Sequence, residues 1–217
     1  MEWARIRKSR LPAFFIFSCG ILILTLGVSL TILSGLGASP FDALLVGLSR
    51  NVGLTVGSWE VLIAILLIGC NSWLTRQRPE ILGLVTAFIT GIGIDGWLFL
   101  LHHLIEPHLW VSKIAFYSLG LIAIGLGTSI YLYSKYAPIP VDRLTLVLQT
   151  VTGLNILFTR TLIYLIFLVA ALMFKGPIGI GTLLTIGLGG FILNYFMPLT
   201  QKALDRHLTL RSESHGD

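Results

Sequence analysis

The sequence predicts an all-α membrane protein: six transmembrane helices arranged as two inverted three-span repeats. Each repeat carries a short interrupted helix that starts at Pro-x-Asp. Three observations predict this. The chain is poor in charge and rich in long apolar runs. A Pro-x-Asp motif returns at an offset of 100. The basic residues gather at one set of span ends.

Of the 217 residues, 55% are hydrophobic and only 12% are charged. A soluble domain carries about 25% charged residues. The apolar residues form long runs without the strand or surface-helix period. In lipid, a helix satisfies its own backbone groups, so helices are expected. No polar block is long enough to fold as a separate soluble domain. The net charge of +5 does not suggest nucleic acid, because most of it lies at span ends. Cys19 and Cys70 sit in apolar segments, with no CxxC and no ligand-spaced Cys/His cluster. They read as two small buried hydrophobes rather than a disulfide or metal site.

In order, residues 1–10 form a short basic N-terminus with Arg5, Arg7, Lys8 and Arg10. Leu11–Leu33 is the first span, too long for a signal-peptide core and so a retained helix. The further spans are Gly57–Leu74, Ile81–Leu101, Val111–Tyr133, Phe158–Phe174 and Ile178–Leu199. Two amphipathic pieces remain, Pro40–Val52 and Pro140–Thr152. Both are too short to cross alone. Each begins at proline and ends before glycine (Gly53, Gly153), the punctuation of a short helix. The membrane repeats therefore run over 11–105 and 106–199, and 200–217 is a polar tail.

The duplication is more than a coincidence of apolar residues. Ser39-Pro40-Phe41-Asp42 matches Ile139-Pro140-Val141-Asp142. The same offset pairs Gly20 with Gly120, Gly27 with Gly127, Ser29 with Ser129, Ser34 with Ser134 and Gly53 with Gly153. The third spans match loosely at an offset of 98, Gly83 and Gly91 with Gly181 and Gly189. Three crossings per repeat is an odd number, so the copies are expected upside down relative to each other. Lys and Arg then orient the chain. The N-terminus, Arg76, Arg78, Lys135, Arg143, Lys202, Arg206 and Arg211 fall on one side. Only Arg50, Lys113 and Lys175 fall on the other. Both termini are expected in the cytoplasm, with Trp59, Trp73, Trp97 and Trp110 as interface anchors.

Asp42 and Asp142 lead the candidate residues. As paired acids at two broken helices they would accept a proton or cation or shape a polar cavity. Alternatively, each only caps its own helix. Ser39 is a plausible N-cap, with Asp42 at the favourable end of the helix dipole. Ile139 cannot cap, so Asp142 would have to serve the free N–H groups itself. Glu60 and Arg160 occupy equivalent positions and would form a charge pair across a pseudo-two-fold axis. The alternative is that each snorkels to a membrane face. Asp95 is a mid-span acid, either functional or packed and hydrogen-bonded, and Asn194 stands near its equivalent place. His102, His103 and His108 cluster with Glu106 in a loop, which reads as an ordinary polar loop rather than a metal site. No metal site and no cofactor are expected.

The chain resembles the bacterial YczE/YyaS/YitT integral membrane proteins, the YczE-like branch in particular. The resemblance rests on three stretches: Leu36-Gly37-Ala38-Ser39-Pro40-Phe41-Asp42, Gly53-Leu54-Thr55-Val56-Gly57-Ser58-Trp59, and Gly176-Pro177-Ile178-Gly179-Ile180-Gly181-Thr182-Leu183. It covers about Phe15 to Leu199. The second copy departs from the Gly-Pro-Arg-Asp usual in such proteins, placing Val141 between Pro140 and Asp142 with Arg143 after. The resemblance implies a multi-span protein of the bacterial inner membrane and no defined activity.

Together these readings point to a small secondary transporter or permease of an unidentified small solute. Its site would be built from Asp42, Asp142, Asp95 and Arg160, with Ser39, Pro40 and Pro140 as the helix-start motif. The alternative is a non-transporting membrane scaffold or regulatory partner of another protein. An enzyme is not expected, since no nucleophile and base or nucleotide loop stands out. The expected partners are the lipid bilayer, a small solute and a second copy of the chain.

Overall fold

The computed structural model describes residues 10–104 and 107–213, with side chains over 13–104, 107–155 and 158–206. Arg5, Arg7, Lys8, Glu106 and the Arg211 side chain lie outside the described residues. The described residues form eight helices: α1 (Arg10–Leu33), α2 (Pro40–Val52), α3 (Val56–Thr75), α4 (Ile81–His102), α5 (Trp110–Tyr133), α6 (Pro140–Thr152), α7 (Ile156–Met173) and α8 (Ile180–Glu213). The fold is all-helical. Five helices are long and apolar enough to cross a membrane: α1, α3, α4, α5 and α8. The apolar part of α7, Phe158–Met173, is shorter. The expected boundary at Leu199 is not a helix end, because α8 continues through Pro198 to Glu213.

The bundle is organised around the crossing of α1 and α5, which touch backbone to backbone. A methyl on Gly20 would stand 2.5 Å from the Tyr131 amide nitrogen, and one on Gly27 would stand 2.6 Å from the Gly120 carbonyl. A methyl on Gly127 would meet the Leu24 nitrogen at 2.4 Å. Any side chain there would force the helices apart, so the small residues set the interaxial distance. As numbers rise along α1 they fall along α5, so the two helices run antiparallel. The contacts also map onto one another when each residue is moved to its counterpart at the offset of 100. Gly20 against Tyr131 becomes Gly120 against Thr31, and Leu24 against Gly127 becomes Ile124 against Gly27.

Around this centre, α1 packs on α4 as α5 packs on α8, and α2 packs on α7 as α6 packs on α3. The likeness fails in one place. Helix α3 lies along α4, while α7 barely touches α8. The α3–α4 contact is tight because a methyl on Gly57 would overlap the Gly91 carbonyl at 2.1 Å. At Gly187 and Gly189 on α8 an added methyl meets nothing within 4 Å.

The loop before α2 is stitched to the loop before α8. Ala38 N donates to the Pro177 carbonyl at 3.1 Å, and Gly181 N donates to the Leu36 carbonyl at 2.9 Å. A side chain on Gly179 would stand 2.3 Å from that Leu36 oxygen. Two motifs that carry the family resemblance are thus two sides of one contact. The outer surface is apolar, with Trp73, Phe99, Val111 and Phe191 among the most exposed large side chains, as suits lipid contact. Cys19 and Cys70 lie on that surface, not in the core as expected. The cause is that helices in a bilayer turn apolar faces outward as well as inward.

A Gly27→Leu variant is expected to lose roughly 1–3 kcal/mol of stability from overpacking, read as a lower Tm in detergent. Gly69→Ala, where nothing lies within 4 Å, is expected to change stability by less than about 0.5 kcal/mol.

Candidate functional site: a charged cavity where the short helices start

The N-termini of α2 and α6 converge on a central cavity of about 110 Å3. That is room for a few waters or one small solute, well below the roughly 300–1,000 Å3 of drug-sized pockets. Equivalent residues line it from both halves: Phe41 and Asp42 from α2, Val141 and Asp142 from α6. Glu60 from α3 and Arg160 from α7 face it too. Most of the remaining wall is apolar, with Leu24 and Val28 from α1 and Leu121 and Ile124 from α5.

Each acid is held differently. Asp42 is buried at the first turn of α2. Its amide donates to Ser39 Oγ at 3.2 Å, and Ser39 Oγ donates to Asp42 Oδ2 at 2.6 Å. Asp42 thus serves the helix start and also lines the cavity. Asp142 does not serve its own helix. Helix α6 has no side-chain cap, and Asp142 Oδ2 accepts from the Tyr131 hydroxyl. Tyr131 is 1% exposed, and a buried hydroxyl needs an acceptor, which Asp142 supplies.

Glu60 is the most enclosed acid, at 2% exposure. Among the described residues no donor lies within hydrogen-bond reach of its carboxylate. It shares the cavity wall with Asp42 and Asp142. The expected Glu60–Arg160 ion pair is not formed. Arg160 instead donates from Nε and Nη2 to the Tyr164 hydroxyl at 3.2 and 2.9 Å, and stacks over that ring at 5.3 Å. Tyr164 lies one turn further along α7, so it captures the guanidinium before Glu60 can. Arg160 shares the cavity wall with Asp142.

Asp95 is not part of the cavity. Its Oδ1 accepts from Gly57 N at 2.8 Å, so it caps the start of α3 from the neighbouring helix. The cause is the Gly57–Gly91 contact, which brings α4 close enough for Asp95 to reach a free N–H. Asn194, near its equivalent place, lines a second cavity of about 100 Å3 between α7 and α8. This cleft shares Arg160 and Tyr164 with the central one. Among the other ionic groups, Arg143 pairs with Glu80 at 2.5 Å on the surface. Tyr131 and Tyr164 were not singled out from sequence. The available signal was the i, i+4 spacing of Tyr164 from Arg160 on one helix face.

These features define a polytopic helical membrane protein with a small charged cavity at the meeting of its broken helices. The chain belongs to the family described as "Family of unknown function (DUF6198)", which matches residues 11–198. It is 58% identical to the uncharacterized protein YyaS of Bacillus subtilis (strain 168) over 87% of this chain and 94% of that one. It is 36% identical to the uncharacterized membrane protein YczE of the same organism over 90% of each chain. An uncharacterized protein of Haemophilus influenzae is 24% identical over 82% of this chain and 79% of its own length. No solved structure matches the chain.

Removing the cap in Asp95→Ala is expected to cost about 1 kcal/mol as a drop in Tm. Asp95→Asn, which keeps an acceptor oxygen, is expected to recover most of it.

Proposed function

We propose that this protein is a small secondary transporter, a permease for a small solute in the bacterial inner membrane. Its chain would cross six times, with α7 as the sixth span, as two inverted three-span repeats with both termini cytoplasmic. The antiparallel α1–α5 contacts and their mapping at an offset of 100 support the inversion. The excess of Lys and Arg at one set of span ends supports the orientation.

The observation that carries the proposal is the central cavity itself. Two short helices begin there, and Asp42, Glu60, Asp142 and Arg160 enter a mostly apolar wall. Charged groups inside a membrane are costly unless they face protein or water, and interrupted helices in both halves of a repeat line the site of many carriers. The unequal α3–α4 and α7–α8 contacts suit alternating access. In this state the α3–α4 side is sealed by Gly57 and Gly91, and the α7–α8 side is cleft open beside Arg160. The other state would exchange the two.

Sided labelling tests the repeats. On a background with Cys19 and Cys70 replaced, Arg50→Cys is expected to react with an impermeant thiol reagent in intact cells, and Thr150→Cys in inverted vesicles. Labelling of both from one side would sink the inverted plan. A cysteine at Thr128, on the cavity wall, tests the carrier. It is expected to react from both sides of the membrane in reconstituted vesicles. Gly187→Leu, filling the cleft, is expected to slow that reaction several-fold from the cytoplasmic side while leaving Tm unchanged. Reaction from a single side, whatever the conditions, would rule out alternating access. Once a solute is found, Asp42→Asn/Asp142→Asn is expected to abolish its uptake, and full activity in that double variant would refute a role for the acids.

A further inference from the structure

The charge inventory of the cavity is unbalanced. Three carboxyl groups, Asp42, Glu60 and Asp142, meet one guanidinium, Arg160. Asp142 shares the wall with Arg160 and receives the Tyr131 hydroxyl. Asp42 receives the Ser39 hydroxyl and sits at the positive end of the α2 dipole. Glu60, at 2% exposure, forms no hydrogen bond or ion pair with the described residues. The walls from α1, α4, α5 and α8 bring no charge to it. The titratable or charged groups that share the cavity wall with it are Asp42 from α2, Asp142 from α6, and Arg160 with Tyr164 from α7. Tyr131 of α5 stands behind Asp142. A carboxylate in such a place is not stable bare: either a proton or a cation must sit on it.

We infer that the central cavity is the site of one small monovalent cation, which binds between Glu60 and Asp42 by displacing the proton of the Glu60 carboxyl. The step is a simple exchange. The O–H bond of Glu60 breaks, the proton leaves to water, and the incoming cation takes over the charge, with no electron transfer. Of the two carboxyl groups left over by Arg160, Asp42 is served by Ser39 and the start of α2, so Glu60 alone calls for one positive charge. A divalent ion is less well served. Calcium takes six to eight oxygen ligands and magnesium a full octahedron, whereas this wall is mostly aliphatic. The size of the cavity limits the guest to an inorganic ion or an ammonium with a short apolar body. The inference rests on the carrier reading for its physiological sense, where the exchange couples cation movement to proton movement in the opposite direction.

The test is carbodiimide labelling of the full chain in proteoliposomes. Dicyclohexylcarbodiimide reacts with a protonated carboxyl in apolar surroundings and leaves a stable N-acylurea that mass spectrometry can place. The expected adduct is on Glu60, absent in Glu60→Gln and retained in Glu60→Asp. Sodium, potassium or methylammonium chloride is expected to protect it. Because cation and proton compete one for one, the half-protecting concentration should fall about tenfold for each unit rise in pH. Glu80→Gln, at the surface, is expected to leave labelling and protection unchanged. The inference is overturned if Glu60 is not modified, if none of the three cations protects it, if protection ignores pH, or if only calcium protects. This measurement needs no transport, so the two readings can fail separately. Protection of Glu60 with one-sided reaction at Thr128 would keep the cation site and discard the carrier. Two-sided reaction at Thr128 without protection would do the reverse.

Discussion

The structure depends on how closely α1 and α5 cross. Gly20, Gly27, Gly120 and Gly127 let the two backbones touch, and no apolar side chain could substitute without separating them. In lipid there is little hydrophobic gain from joining two helices, so close van der Waals contact must hold them. Once that crossing is fixed, α4 and α8 take corresponding places against it, and the short helices α2 and α6 are directed inward toward the same space. The cavity is thus a product of the crossing.

Within that space no charge among the described residues pairs across the axis between the halves. Local partners win. Ser39 takes Asp42, three residues away on the same helix start, and Tyr164 takes Arg160 from the next turn. A partner on the same element is already positioned, and ordering it costs little entropy. Glu60 has no such neighbour, and so it is left as the group whose charge must be supplied or removed from outside.

The two halves, alike in most of their contacts, differ at one helix pair. One helix pair is fastened by a glycine contact and by Asp95 reaching the start of α3. The matched pair is separated by a cleft that shares Arg160 and Tyr164 with the central cavity. The loop contact between Leu36–Ala38 and Pro177–Gly181 ties the first half to the second near this asymmetric element. Two stretches far apart in sequence, both part of the family resemblance, thus form one contact.

The sequence by itself determined the helical membrane class and the limits of the short helices. Apolar run length, charge scarcity and the Pro…Gly punctuation are local signals, and α2 and α6 lie at the expected residues, Pro40–Val52 and Pro140–Thr152. It also marked Asp42, Asp142, Glu60 and Arg160, because a charge in an apolar run stands out wherever the helix points. It could not decide what each charge meets. Whether Asp95 enters the cavity or caps α3 turns on the rotation of α4 and its distance from α3. Whether Glu60 pairs with Arg160 turns on a competition with Tyr164. Tyr131 was silent in sequence, since a tyrosine in a span is ordinary until its hydroxyl is buried beside a carboxylate. Those outcomes belong to the tertiary structure alone, because helix rotation and interhelical distance are set by packing contacts between residues remote in sequence.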